Sequence, residues 1–444
     1  MKTKSKKNKV NVITLGCSKN LVDSEVMMGQ LRANKFDVTH EKENDDSNII
    51  IINTCGFIDN AKQESINTIL EYSDLKENGE IQKLYVTGCL SERYRDELKT
   101  EMPQVDAWFG TLELQQLLKT MGADYKKELV GERQLVTPQH YAYLKISEGC
   151  NRTCAFCAIP LMRGKHVSKP MEEIILEATN LVKRGVKEIM LIAQELTYYG
   201  LDIYKERKLP ELLEKLSAIE GLKWIRLHYA YPSKFPLEIL DVVREKKNIC
   251  NYIDIPFQHI SDKMLLAMRR QITKAETIDL IKTIREKVPG IALRTTFLVG
   301  FPGETEKDVD ELIEFIQQTK FERAGVFTYS HEEGTSGFEL KDDVPQKVKE
   351  ARAARLMAAQ EEVSLTLNQQ KIGQTLDVLI DREEGGSLIG RSEFDSPEVD
   401  NEVIMDASDF SATFIKRHVG EMVKVLITDA TEFDLIGKIL ETEI

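Results

Sequence analysis

What most constrains this chain is a repeated alternation: short apolar runs of strand length, each followed by an amphipathic stretch of helix length, with a cysteine just past several of the apolar runs. From Val10 to about Leu118 the pairs are VNVITLG with SEVMMGQLRAN, NIIIINT with NAKQESINTILEYS, and KLYVTG with SERYRDELK. Strand and helix taking turns reads as a parallel α/β sheet. Cys17, Cys55 and Cys89 each follow one of these strands at its carboxyl end, the edge where open α/β sheets bind ligands. Alone, any one of them reads as core packing, since cysteine is often buried. Three at equivalent positions predict convergence on one site.

A polar connector, GADYKKELVGERQLVTPQH, leads to a second alternating region with six strand candidates: YAYLKIS, EIMLIAQ, WIRLHYA, YIDIPFQ, ALRTTFLVG and AGVFTYS. Six successive βα units predict a partial version of the eight-fold barrel, again with function at the carboxyl ends of the strands. A long helix candidate, VPQKVKEARAARLMAAQEEVSLTLNQQK, follows as a bridge. From about Gly373 the pattern changes to short alternating strands (TLDVLIDR, SLIGRSE, NEVIMD, MVKVLITD, DLIGKIL), the signature of a small β-barrel. The expected organisation is thus an α/β chain in three parts. Residues 10–125 form an open parallel α/β sheet, 136–366 a partial (β/α)6 barrel, and 371–444 a small antiparallel β-barrel.

A chain of 444 residues is long enough for several cores. It has no apolar run of about 18 residues, and its basic start, MKTKSKKNK, lacks the cleavage site of a secretory signal. No membrane partner is expected and the cytoplasm is the expected compartment. The lysine-rich first nine residues read as a disordered tail. Seven cysteines, an odd count, point to metal or catalytic use rather than a disulfide scaffold. A net charge of −13 argues against a generic nucleic-acid binder. Much of it falls in residues 371–444, with 17 Asp plus Glu against 7 Lys plus Arg.

The strongest chemical signal is EGCNRTCAFCAIP, which sets Cys150, Cys154 and Cys157 in a C-x3-C-x2-C arrangement after the first barrel strand. Three thiolates leave one iron of a cubane cluster open to an outside ligand. Zinc is the alternative, with His166 the only nearby fourth ligand. The motif resembles the radical S-adenosylmethionine superfamily. That resemblance implies a 4Fe-4S cluster on these cysteines, with S-adenosylmethionine on the open iron as the source of a 5′-deoxyadenosyl radical. It also implies roles for other residues. Phe156 takes the place of the aromatic beside the adenine, and a core aromatic is an equal reading of it. Gln194 and Glu195 resemble the motif that receives the methionine amino group. Gly300, Gly303 and Glu304 of FLVGFPGET resemble the turn where backbone approaches the nucleoside. Arg294 is a candidate for the methionine carboxylate, although a strand arginine bridging to an acid is the more ordinary account.

With a second cysteine trio upstream and a β-barrel at the end, the whole chain from Val10 resembles the radical methylthiotransferases. These have an N-terminal domain for an auxiliary cluster, a radical core and a TRAM barrel. The resemblance implies two 4Fe-4S clusters, the auxiliary one on Cys17, Cys55 and Cys89. It also implies sulfur insertion at a C–H bond followed by S-methylation, and an electron donor such as a flavodoxin or ferredoxin. LGCSKNLVDSEVMMGQL, PLMRGKHVSKP, LHYAYP, DIPFQH and RTTFLVGFPGET resemble the branch that modifies an aspartate of ribosomal protein uS12, free or in the small subunit. The tRNA branch usually has a glutamine-methionine-asparagine run in place of Ser18, Lys19 and Asn20. The acidic C-terminal part adds a physical reason, since it would repel phosphates and attract a basic protein, so direct RNA binding is not expected to dominate. Glu195 departs from the branch, which has aspartate there. His228 and His259 read as hydrogen-bonded barrel histidines, and Cys250 as a buried small hydrophobe. The competing readings are methylthiolation of a tRNA anticodon-loop adenosine and a non-catalytic iron-sulfur scaffold.

Overall fold

The first sheet owes its place in the interior to isoleucine. In the computed structural model, which describes residues 8–43, 46–129, 131–408 and 410–440, the strand Ile49–Thr54 is buried along its whole length, as a parallel strand covered by helices on both faces must be. The sheet consists of β1 (Lys9–Thr14), β2 (Asp37–His40), β3 (Ile49–Thr54), β4 (Lys83–Gly88) and β5 (Ala107–Trp108), in the order β2-β1-β3-β4-β5. Every pairing is parallel. This order reverses direction between β1 and β3, and the crevice at such a switch point is where open α/β sheets place ligands. The short strands β2 and β5 are additions to the three read from sequence. Residues 1–7 of the expected N-terminal tail lie outside the described residues, and Lys9 already belongs to β1.

All six core strands form where the apolar runs place them: β6 (Tyr141–Lys145), β9 (Glu188–Ile192), β10 (Trp224–Leu227), β11 (Ile249–Asp254), β12 (Ala292–Val299) and β13 (Arg323–Thr328). They pair in parallel in chain order, β13-β12-β11-β10-β9-β6, an open six-stranded barrel. Between the first two, β7 (Ser147–Glu148) and β8 (Val167–Ser168) form a two-stranded antiparallel ribbon that frames the C-x3-C-x2-C loop. One large apolar cluster lies between the outer helices and the sheet, joining Leu144, Leu191, Ile225, Ile253 and Leu293 to Leu181, Leu213 and Ile316. No helix among the described residues is long and apolar enough to cross a membrane.

Strands that alternate buried and exposed residues, such as Leu435–Ile439, bury one face only and suit a small barrel. β14 (Thr375–Glu384), β15 (Ser387–Ser392), β16 (Val403–Asp406), β17 (Met422–Ala430) and β18 (Leu435–Ile439) close in the order β14-β15-β16-β18-β17. The expectation of a wholly antiparallel barrel needs correction, because β16 and β18 pair in parallel. A helix, Ala412–His418, crosses between β16 and β17 and lets β18 return beside β16 in the same direction.

This barrel docks on the core through buried charge. The Arg294 guanidinium lies between Asp254 and Asp400 (3.2 and 3.1 Å). Arg323 donates to Asp395 at 2.8 Å, and Glu188 sits between Arg226 and Arg391 (2.8 and 2.7 Å). His228 shares a hydrogen bond with Ser396 (2.9 Å), and the hydroxyls of Tyr141 and Tyr143 donate to Glu398. Two sequence readings change here. Arg294 is committed to two carboxylates with side chains 0% and 1% exposed, so it is not free to meet a methionine carboxylate. The acidic surplus of the last domain is also not all surface charge, since Asp381, Asp395 and Asp400 are held by Arg391, Arg323 and Arg294. Cys250 is 1% exposed and packs beside Trp224, Tyr252 and Leu379, the small hydrophobe it was read to be.

Candidate functional site

Residues after all six core strands converge on the loop that carries Cys150, Cys154 and Cys157. Cys150 follows the β6–β7 segment, and its sulfur accepts the Arg152 backbone N–H at 3.4 Å. After β9, Glu195 takes the Arg152 guanidinium (3.0 Å) on one carboxylate oxygen and the Thr197 N–H (2.7 Å) on the other. After β10, the Tyr231 hydroxyl lies 3.6 Å from Cys154 Sγ. After β11, Arg270 donates to the same sulfur at 3.2 Å. Phe156 packs with Leu298, Phe301 and Tyr329, at the ends of β12 and β13, and with Met264 and Met268 beyond β11. Beyond β13, the Gly337 N–H donates to the Ala155 carbonyl at 2.7 Å.

The N-terminal trio is built the same way. Cys17, Cys55 and Cys89 stand at the carboxyl ends of β1, β3 and β4, around the switch point of the sheet. Gly16 has φ +93°, and a Cβ there would lie 2.8 Å from Cys55 Sγ, so only glycine lets the first two segments approach this closely. Asn20 bridges the ends of the strands by donating to the Leu15 and Thr54 carbonyls (2.7 and 3.1 Å), and its Oδ1 is 3.8 Å from Cys89 Sγ. The two sites adjoin: Cys89 packs against Ala158 and Met162, just beyond Cys157. Between them lies a buried polar network in which Lys145 and Arg163 of the core meet Asp23 of the N-terminal domain and Glu148.

Burial governs the thiols. It pushes Cys89 and Cys157 up to about 12 and Cys150 to about 11, with the other thiols of each trio adding to the rise. Cys55 is raised for the same reason, with Cys17 a contributor. Such thiols stay protonated at neutral pH until a metal displaces the proton. Among the described residues no three His, Cys, Asp or Glu side chains converge as a single metal ion requires; a cubane cluster takes each thiolate on a different iron. The donor set fits that cluster: free thiols in two trios, with N–H groups aimed at the sulfurs of Cys150 and Cys154. His166, the possible fourth zinc ligand, lies 3.1 Å from Ser168 Oγ instead.

The remaining sequence candidates separate. Gln194 donates to Glu148 at 2.7 Å, while its buried Oε1 has no partner. Glu195 is wholly occupied by Arg152 and Thr197. Glu304 closes the Gly300–Gly303 turn by accepting the Gly300 N–H (2.8 Å) and the Arg352 guanidinium (2.8 Å). His228 and His259 are buried and hydrogen-bonded, as read. Sequence reasoning missed Arg152, Arg163, Tyr231 and Arg270. The first three lie inside stretches already singled out, where an arginine or tyrosine amid cluster-loop residues was the available signal; Arg270 had none.

Three family models match the chain: Uncharacterized protein family UPF0004 over residues 9–110, the Radical SAM superfamily over 144–316, and the TRAM domain over 372–440. Proteins named ribosomal protein uS12 methylthiotransferase RimO from Flavobacterium johnsoniae and Cytophaga hutchinsonii are each 60% identical, over 99% of this chain and 100% of theirs. The one from Bacteroides thetaiotaomicron is 54% identical over 98% of this chain and 99% of its own. Among solved structures, the radical S-adenosylmethionine methyltransferase TsrM from Kitasatospora setae, with cobalamin and a 4Fe-4S cluster bound, has a TM-score of 0.54 at 13% identity. It covers 91% of this chain and 83% of that one. The cobalamin-dependent S-adenosylmethionine radical enzyme OxsB has a TM-score of 0.52 at 12% identity, over 81% of this chain and 56% of its own. At such identity the likeness concerns the fold.

Proposed function

Because the chain belongs to the ribosomal protein uS12 methylthiotransferases of the RimO family, we propose that it places a methylthio group on an aspartate side chain of uS12, with S-adenosylmethionine and two 4Fe-4S clusters. The observation that carries this reading is the pair of adjoining cysteine trios at the carboxyl edges of two parallel sheets. When bound, a four-iron cluster and S-adenosylmethionine supply a radical able to take hydrogen from an unactivated C–H bond, and a second cluster supplies sulfur. Methylthiolation of a tRNA adenosine is not favoured by the three relatives named above, which bear the uS12 name.

We assign the radical-generating cluster to Cys150, Cys154 and Cys157, and the sulfur-bearing one to Cys17, Cys55 and Cys89. The chain's own groups then have definite tasks. The unpartnered Gln194 Oε1 is an acceptor for the methionine ammonium. Glu195 holds Arg152, which lies over the rings of Tyr198 and Tyr231 (4.1 and 3.8 Å) and shields the loop from water. Phe156 offers its apolar face to the adenine, next to the turn that Glu304 closes at Gly300 and Gly303. Arg270, steadied by accepting the Tyr231 hydroxyl on its carbonyl at 2.9 Å, directs a cationic donor at Cys154. We further propose uS12 in either its free or its assembled form as substrate, a flavodoxin or ferredoxin as reductant, and the cytoplasm as compartment.

The test is anaerobic reconstitution with iron and sulfide, reduction, and incubation with S-adenosylmethionine and either uS12 or unmodified tRNA, followed by mass spectrometry of both. A methylthio mass gain on a uS12 aspartate is expected, abolished by Cys17→Ala and by Cys154→Ala. Modification of tRNA alone would overturn the assignment.

A further inference from the structure

The helix Ile159–Arg163 leaves the core cysteine loop and ends inside the other domain's site. Arg163 is a core residue, yet its side chain, 2% exposed, points into the N-terminal domain. One guanidinium nitrogen donates to Asp23 at 2.6 Å and to Glu148 at 3.3 Å. The other donates to Asn20 Oδ1, the atom 3.8 Å from Cys89 Sγ. Asn20 in turn holds the carbonyls of Leu15 and Thr54, the first two residues before Cys17 and the second one before Cys55. Arg163 is also the cation whose field reaches both Cys55 and Cys89.

We propose that Arg163 is a positioning residue, supplied by the radical core, that sets the electrostatic environment of the cluster on Cys17, Cys55 and Cys89. This rests on the assignment of that trio to a cluster. Three thiolates in a buried site carry negative charge that a fixed, water-excluded cation offsets far better than solvent does. Hydrogen bonds, charge and burial around the sulfurs are what the protein uses to tune such a centre. The local charges give the proposal a sign. Lys145 and Arg163 balance Asp23 and Glu148. Removing Arg163 leaves an uncompensated negative charge beside the cluster and disfavours its reduction. Removing the Asp23 charge leaves an uncompensated positive one and favours reduction. A residue that merely glued the two domains together would leave the midpoint potential where it is.

The experiment uses the full chain with Cys150, Cys154 and Cys157 all changed to Ala, so that the N-terminal cluster is the only chromophore, and reads iron content and the midpoint in an anaerobic redox titration. Arg163→Gln is expected to lower the midpoint, with the oxidised-to-reduced ratio at fixed potential rising about tenfold, or about 59 mV for one electron. Asp23→Asn, at a side chain 28% exposed, is expected to shift it the opposite way, and Arg163→Lys to stay nearer the parent than Arg163→Gln does. Should Arg163→Gln fail to fold, Asp23→Asn decides: an upward shift supports the proposal, and no shift or a downward one overturns it. A parent that binds no iron removes the ligand assignment and the proposal together. A loaded parent whose midpoint ignores both substitutions removes the proposal alone.

Discussion

Glu195 shows how firmly a residue of a motif can be held by its neighbours. It stands where the aspartate of its branch is expected, but both carboxylate oxygens are taken, one by Arg152 and one by Thr197. The pair is buried, with side chains 5% and 2% exposed, and truncating one member of such a pair strands the other charge. Glu195→Ala is therefore expected to cost about 3–5 kcal/mol, read from urea melting of the metal-free protein; a loss under about 1 kcal/mol would show that Arg152 finds another partner. The cysteines could be located in the sequence because their neighbours advertise strand ends. Arg270 and Arg163 could not be given their roles, because what each touches lies 116 and 143 residues away and no local pattern records that distance. For Arg294 the ordinary account, a bridge to an acid, holds, but its partners could not be named, since Asp254 and Asp400 come from a neighbouring strand and from another domain.

At the scale of elements, long apolar runs were readable and short ones were not. Five of the six core strands and the three cysteine-bearing strands of the first sheet are mostly buried runs whose composition leaves few alternatives, while the edge strand β13 is only partly buried. The ribbon of β7 and β8, two residues each, has no such signature, although it shapes the cysteine loop. Gly149 makes that ribbon possible: it has φ +73°, and a Cβ there would lie 2.2 Å from the Lys165 carbonyl oxygen. Gly149→Ala is expected to displace Cys150 and reduce iron per chain to the level of Cys150→Ala, while the N-terminal cluster remains. Iron analysis beside the visible spectrum checks this; full loading would mean that the ribbon yields without moving the cysteine. The parallel pairing of β16 with β18 was equally invisible, since alternation reveals which face of a strand is buried but not its direction.

Across the whole molecule, the joint between core and last domain is ionic at its centre and predicts a pH response. His228 is held well below its ordinary value by burial first, and then by Arg294, Arg226, Lys19 and Arg391. It is neutral in the folded state, so its contribution is present above about pH 6.5 and is lost as pH falls below that. For Asp381 and Asp395 burial opposes ionisation, but Arg391 outweighs it in the first and Arg323 with Lys371 in the second, and both carboxyls end below their usual range. Their contribution is present above about pH 3.9 and disappears on further acidification. Loosening in two stages is expected. It can be followed in Trp108→Phe, which leaves Trp224, packed against Leu379 and Phe394, as the only indole in the chain. Fluorescence unchanged from pH 8 to pH 5 would exclude the histidine stage. The same joint imposes an order on biosynthesis. Tyr143 meets Glu398, 255 residues later in the chain, and at roughly 5–20 residues per second the ribosome needs on the order of ten to fifty seconds to make that stretch. Until then Tyr141 and Tyr143, and later Arg323, are made without their acidic partners Glu398 and Asp395, so the finished barrel waits on the last domain to be translated.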